Sequence, residues 1–200
     1  MPAPEHRGGT MTGDTGELHL RQLPDQLRAL DPPVDPRVLE LVDAEHARWR
    51  GLHDRLVALI VQLIDVATDA TGGEHAVNDV ITRMIGETTV GIDDLVGSGA
   101  AVDPAEIAAL LRAHGSVGTV SSVGPTTTFR HACGSGGHYW RDNPDVATVA
   151  EGEVPGVPGG RPRYCARCIR SISSHAHGAW TVTPPDTPAE TCTWRVTVAQ

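Results

Sequence analysis

Residues 126–140 read TTTFRHACGSGGHYW, and this stretch decides how the second half of the chain is built. Thr126–Ala132 combines threonines with an aromatic residue, a pattern that predicts a β-strand. On such a strand Phe129, His131 and Cys133 share one face, because successive side chains point to opposite sides. The glycines after Cys133 supply the positive φ angles of a tight turn. We therefore predict a strand that ends in a sharp turn at this cysteine.

Three further segments carry the remaining cysteines and several histidines. They are YCARC at 164–168, HAH at 175–177 and TCTWRVTV at 191–198. The last alternates strictly, which predicts a strand with Cys192 on its buried face. A C-x-x-C pair is predicted to put two thiolates on one tight turn, within reach of one zinc ion, and tetrahedral zinc takes four ligands. The sequence thus predicts one bound zinc ion with the ligands Cys133, Cys165, Cys168 and Cys192.

The sequence does not decide which residue is the fourth ligand, or whether one coordination position is open to water. His138, at C-x4-H spacing from Cys133, is the alternative to Cys192, whereas His131, His175 and His177 are weaker ligand candidates. A closed site of four protein ligands is structural, whereas a site with three protein ligands leaves a position for water, as in catalytic zinc. In the open case His131 and His175 are the candidate catalytic residues.

Three other interpretations of the cysteines are also possible. They could be ordinary buried thiols, which behave as small apolar groups, or a redox dithiol, which requires a helix N-terminus beside a strand. Two disulfides would require an oxidising compartment. The first residues lack the apolar segment of a secretory signal, so we expect a cytoplasmic protein without structural disulfides.

The first half of the chain has the pattern of helices. A long helix is predicted over Arg37–Thr71, with Pro36 in its first turn and Gly72 at its end. Its core-facing residues are predicted to be Val38, Leu41, Val42, Glu45, Trp49, Leu52, Leu56, Leu59, Ile60, Leu63 and Ala67. Shorter helices are predicted over Glu74–Gly86 and from Pro104 to His114, and a short amphipathic segment over Leu18–Leu30.

Composition excludes several classes of function. The 200 residues include 16 basic residues, all of them arginine, and 25 acidic ones, for a net charge of −9. Without lysine, P-loop and Schiff-base chemistry is excluded. The acidic balance makes nucleic acid an unfavourable partner, and the longest apolar run, nine residues at Leu56–Ile64, is too short to cross a membrane. The lack of lysine and the abundance of Ala, Gly, Arg and Val indicate a GC-rich bacterial genome.

These observations predict an α+β protein in which an N-terminal helical segment packs on a small C-terminal β-rich zinc-binding unit. Residues 1–17 are predicted to be a disordered tail and residues 18–114 the helical region. Residues 115–200 are predicted to be the cysteine-rich and aromatic β-rich region, with a Pro/Gly loop at 143–163.

The arrangement CGSGG, YCARC and CTW resembles a set of uncharacterised bacterial proteins with a helical N-terminal region. The resemblance spans mainly residues 37–90 and 126–198. It implies counterparts for all four cysteines and a different residue, in many of these proteins, at the position of His138. The helical part is also distantly similar to hydrolases that open L-2-amino-thiazoline-4-carboxylate, but no catalytic residue of those enzymes matches here.

The function expected from the sequence is that of a small bacterial zinc-binding protein in which zinc is mainly structural. It would act as an accessory or binding protein for a protein partner or small molecule that the sequence does not identify. The alternative is a zinc- or thiol-dependent hydrolase or lyase that acts on a small sulfur-containing or anionic metabolite. Ser135 is not predicted as a nucleophile because the G-x-S-x-G spacing is absent. His46 and His53 are predicted to be partly exposed helix residues, with a metal-ligand role as the alternative.

Overall fold

The computed structural model describes residues 19–73, 76–77, 79–80, 104–175 and 180–197. The elements in chain order are β1 (His19–Leu20), α1 (Leu23–Arg28), α2 (Pro36–Thr71), α3 (Pro104–Ala113), β2 (Val117–Val123), β3 (Thr126–Ala132), α4 (Gly136–Asp142), α5 (Arg163–His175), β4 (Trp180–Thr183) and β5 (Cys192–Thr197). Helices together with an antiparallel sheet confirm the α+β class. The predicted tail at 1–17 and most of the predicted helix Glu74–Gly86 lie outside the described residues.

The sheet has five antiparallel strands in the order β1-β2-β3-β5-β4. The strand predicted at Thr126–Ala132 is confirmed as β3, which pairs with β2 on one side and β5 on the other. In this register His131 lies opposite Cys192 and Phe129 lies opposite Trp194. Directly opposed residues of antiparallel strands share a face, and all four of these residues are buried.

The predicted amphipathic segment at Leu18–Leu30 is divided into two elements. His19–Leu20 forms β1 at the edge of the sheet, paired with β2, and α1 begins at Leu23. Leu20 is almost fully buried. A two-residue strand has no periodicity of its own, so only its pairing with a distant strand reveals it.

One hydrophobic core joins both halves of the chain. It combines residues of β1, α3, α5 and the three strands β3, β4 and β5. Its members are Leu20, Ile107, Ala108, Leu111, Phe129, Ile172, Trp180, Cys192, Trp194 and Val196. The predicted helical region thus contributes β1 and α3 directly to the core beneath the sheet.

Helix α2 confirms the predicted long helix, but the predicted core-facing side is wrong. Asp35 caps its first turn, where the carboxylate accepts a hydrogen bond from the backbone N–H of Arg37 at 2.8 Å, and Gly72 ends it with φ of 74°. The buried residues are Val57, Val61, Ile64 and Thr68, whereas most of the leucines that were predicted to face inward are exposed. The helix has apolar residues on two sides. The side that carries the buried residues has fewer of them and packs towards α4 and α5.

The C-terminal part contains more helix than the sequence predicted. Helices α4 and α5 both lie within it, and the C-x-x-C pair lies on α5 rather than on a turn between strands. The Pro/Gly loop that connects them is also packed: Val149, Val154 and Val157 form a second buried cluster with Ala166 and Ile169 of α5.

No helix within the described part of the chain is long and apolar enough to cross a membrane.

Candidate metal centre

The four cysteines come from three distant parts of the chain. Cys133 follows β3, Cys165 and Cys168 lie in the first turns of α5, and Cys192 is the first residue of β5. Because helical residues three apart share a side, Cys165 and Cys168 project in similar directions. All four are free cysteines, with Cys192 buried and the others half-buried.

The pKa values of these thiols depend on one another. Burial raises the pKa of Cys165 well above its usual value, and the charges of Cys133, Cys168 and Cys192 raise it further. Burial, then Cys133 and Cys192, raise the pKa of Cys168. Burial and Cys133 raise the pKa of Cys192 to about 12. The charges of the other three cysteines thus all act on Cys165, so the four predicted ligands lie near enough to one another for their charges to interact.

The raised pKa values leave Cys165, Cys168 and Cys192 as neutral thiols at pH 7, because burial and then a negative charge on a neighbouring cysteine disfavour the thiolate. Cys192 donates a weak hydrogen bond from its Sγ to the carbonyl oxygen of Thr183 at 3.6 Å. Among the residues that the structure describes, no three His, Cys, Asp or Glu side chains form a ready-made metal site.

The glycines that follow Cys133 are required for close packing, and the predicted positive φ angles are not found there. A Cβ on Gly137 would lie 2.8 Å from the Cβ of Cys133. A Cβ on Gly136 would lie 2.3 Å from Cδ1 of Tyr164, the residue before Cys165. These two glycines let the loop and the start of α5 approach each other, which places Cys133 beside the C-x-x-C pair.

A cationic side chain stands at the edge of the thiol cluster. Arg141 donates a hydrogen bond from Nη2 to the carbonyl oxygen of Cys133 at 2.8 Å, and its charge acts to lower the pKa of Cys165. Another arginine that lies near the cysteines in the sequence connects α5 to α2. Arg163 Nη1 lies 3.3 Å from carboxylates of Asp65 and Asp69.

The predicted histidine candidates lie in different surroundings. His138 Nε2 lies 3.6 Å from a carboxylate oxygen of Asp54 and 3.5 Å from one of Asp142. His131 is 1% exposed and packs edge-on against Trp194, and burial lowers its pKa to about 4. His131 thus lies inside the core, where a substrate does not reach. The side chain of His175 and all of His177 lie outside the described residues.

A second polar cluster, which we call the serine cluster, consists of Ser135, His53, Asp54 and His114. Ser135 Oγ lies 3.2 Å from His114 Nδ1 and 3.5 Å from His53 Nε2. His53 Nδ1 lies 3.2 Å from Asp54 Oδ1. The residues come from three elements and span more than 80 positions, so no local pattern reveals them; only the Gly-Ser-Gly run marks one member.

The negative charge of Asp54 in the serine cluster is stabilised by neighbouring groups. Burial acts against ionisation of Asp54, but hydrogen bonds from His53 and Arg50 and the nearby charges lower its pKa overall. Burial and the charge of His53 lower the pKa of His114. Arg50 also donates a hydrogen bond to the carbonyl oxygen of Gly134 at 2.7 Å. The serine cluster therefore connects α2 to the loop that carries Cys133.

A shallow groove of about 310 Å³ lies where α1, α2 and α3 meet. Its lining residues are Gln22, Leu23, Gln26, His46, Trp49, Arg112 and Ala113. His46, which the sequence indicated as an exposed helix residue, thus faces this groove together with the Trp49 ring, 5.1 Å away between ring centroids.

No protein-family model matches the chain, and comparison with curated proteins and with solved structures gives no match.

Proposed function

We propose that the protein binds one zinc ion through Cys133, Cys165, Cys168 and Cys192, and that the ion is mainly structural. One observation supports the proposal: Cys165 lies near enough to Cys133, Cys168 and Cys192 for the charges of all three to act on its pKa. Four thiolates are a ligand set typical of closed structural zinc sites. In this position the ion would connect the sheet, the loop before α4 and the start of α5.

The chemistry of the cluster supports a metal rather than four ordinary thiols. Isolated buried cysteines act as small apolar groups, but here the charges of the other three cysteines act on Cys165, and the charge of Cys133 also acts on Cys168 and Cys192. A bound divalent cation would offset the repulsion between neighbouring thiolates, because it stabilises all four of them at once. Binding of the metal then contributes directly to the free energy of folding.

The same features favour an accessory or binding role over thiol chemistry. A reactive cysteine needs a lowered pKa and access to solvent, whereas burial raises the pKa values of Cys165, Cys168 and Cys192. The C-x-x-C pair does lie near a helix N-terminus, but the raised pKa values are opposite to those of a redox dithiol. Four protein ligands would also leave no coordination position for a water molecule.

X-ray absorption at the zinc edge of the purified chain tests this proposal. We expect a shell of four sulfur atoms at about 2.3 Å. C192S should lose zinc affinity, whereas H138Q, the matched control for the alternative ligand, should retain it. A shell of three sulfurs and one nitrogen that H138Q abolishes would overturn the four-cysteine assignment, and zinc-free protein would overturn the metal itself.

A hydrolase is the second candidate, and residues other than those predicted support it. In the serine cluster Asp54 faces Nδ1 of His53 and Ser135 faces Nε2, the order of contacts found in serine hydrolases. In such a reaction the Ser135 oxygen attacks a carbonyl carbon, its proton passes to His53 Nε2, and the carbonyl π electrons move to the oxygen. Collapse of this oxyanion breaks the bond to the leaving group, which takes the proton from His53 Nε2 and leaves an acyl ester on Ser135 that water then hydrolyses. Ser135 is 6% exposed, so substrate access requires movement of a covering side chain.

Covalent labelling separates this candidate from a structural role of Ser135. A fluorophosphonate probe should modify wild-type protein at Ser135, more slowly in H53Q and not in S135A. If the folded wild-type chain is not labelled, the serine cluster serves only to hold α2 against the loop, and the hydrolase candidate is excluded.

A further inference from the structure

Helix α2 carries an exposed apolar face, which we call the outer stripe. It consists of Leu52, Leu56, Leu59, Leu63 and Val66, whose exposed fractions run from 50% to 67%. At 100° per residue, this stripe lies on the side of the helix away from the buried residues Val57, Val61 and Ile64. Contiguous apolar surface of this kind is uncommon on a monomer and marks an interaction site.

The spacing of the outer stripe indicates what covers it. Its residues follow one another at intervals of four, three, four and three. This is the heptad pattern by which one α-helix packs along another in a coiled coil. The helix itself is 36 residues long, and the stripe runs for about 21 Å of its length. The complementary surface is therefore another long helix with the same apolar spacing.

One flank of the stripe carries charges that change sign along the helix. Arg55, Gln62 and Asp69 follow one another at intervals of seven residues, so they occupy the same flank. When two copies of α2 run antiparallel and cross near Gln62, Arg55 of each copy lies beside Asp69 of the other. In a parallel pair this flank would instead face the apolar residues Ile60 and Ala67.

The apolar layers agree with this antiparallel alignment. The same crossing places Leu56 against Val66 of the second copy, and Leu59 against Leu63. Each contact occurs twice around a two-fold axis, as a symmetric dimer requires. Asp69 is accessible to a partner because its side chain is 75% exposed, although it also lies 3.3 Å from Arg163 of its own chain.

We propose that two copies of the chain associate through an antiparallel pairing of their α2 helices along the outer stripe. The proposal does not depend on zinc, since none of the stripe residues belongs to the thiol cluster. The competing occupant is the segment 74–103 of the same chain, part of which has an amphipathic helical pattern.

Sedimentation equilibrium of the full-length protein tests the proposal. We expect the wild-type chain to be a dimer and L59E to be a monomer with an unchanged circular dichroism spectrum. V123E is the matched control, because Val123 is an exposed apolar residue at the β2–β3 turn, 81% exposed and away from the stripe. It should remain dimeric.

A charge reversal provides a second variant that does not disturb the apolar layers. R55E places like charges side by side twice in the dimer, so we expect its dissociation constant to rise roughly three- to tenfold at low salt. A monomeric wild-type chain, or a dimer that neither L59E nor R55E weakens, would overturn the proposal. A monomer that L59E unfolds would also overturn it and assign the stripe to segment 74–103.

Discussion

Individual glycines and histidines decide how closely the functional segments approach one another. Gly137 lies directly beside Cys133. Ser135, in the same loop, contacts the two histidines His53 and His114. The sequence correctly indicated that the strand ends at Cys133, but the positive φ angles expected of the following glycines are not found. It could not indicate that the glycines are needed for space, because their neighbours come from elsewhere in the chain.

A methyl group at Gly137 should therefore be costly. G137A brings its Cβ to 2.8 Å from the Cβ of Cys133, and such overpacking typically costs about 1–3 kcal/mol of unfolding free energy. G51A is the control, because Gly51 lies within α2 with open space around it. There the alanine should stabilise the protein by about 0.5–1 kcal/mol. Urea denaturation measures both, and equal effects would show that the loop is not tightly packed.

His114 should contribute a pH dependence to stability. Burial, then the charge of His53, lowers its pKa in the folded protein below the ordinary histidine value of 6.5. Below about pH 6.5 the unfolded chain therefore binds more protons than the folded protein. The contribution of neutral His114 to stability is complete above that pH and is lost as the pH falls through the folded pKa.

H114Q should consequently flatten the fall in unfolding free energy as the pH is lowered from about 6.5. H46Q, which removes a histidine of the groove, is the comparison variant. The measurement is urea denaturation as a function of pH, and an H114Q curve parallel to that of the wild type would show that His114 titrates alike in both states.

At the scale of elements, boundaries were predictable where local chemistry sets them. Pro36 and Gly72 delimit α2 within one residue of the predicted range. Its buried side was not predictable, because apolar residues occupy two sides and tertiary contacts choose between them. Likewise α5 was missed: its polar and cysteine-rich sequence reads as a turn, but it is held in place by packing of Ile169 and Ile172.

The N-cap of α2 gives an element-scale prediction. Asp35 accepts a hydrogen bond from the Arg37 N–H, and loss of an N-cap side chain typically costs about 1 kcal/mol. D35A should lower the unfolding free energy by this amount, whereas D35S, which keeps a capping oxygen, should be near wild type. Urea denaturation in which D35A and D35S behave alike would contradict the assigned cap.

At the scale of the whole molecule, the thiol cluster joins parts of the chain that are far apart in sequence. Cys192 belongs to the hydrophobic core, Cys168 packs against that core, and Cys133 directly follows the central strand β3. A metal ion in this cluster would therefore stabilise the sheet, α5 and the loop that contacts α2 together. The sequence could single out the cysteines as candidate ligands because of their residue type and spacing, whereas the serine cluster becomes visible only in the folded chain.

Metal content combined with thiol titration of the freshly purified protein tests this account most directly. We expect one zinc ion per chain, released in step with modification of the four cysteines by a mercurial reagent, and a loss of stability once it is removed. A chain that contains no metal and whose four thiols react independently, with no change in stability, would contradict it.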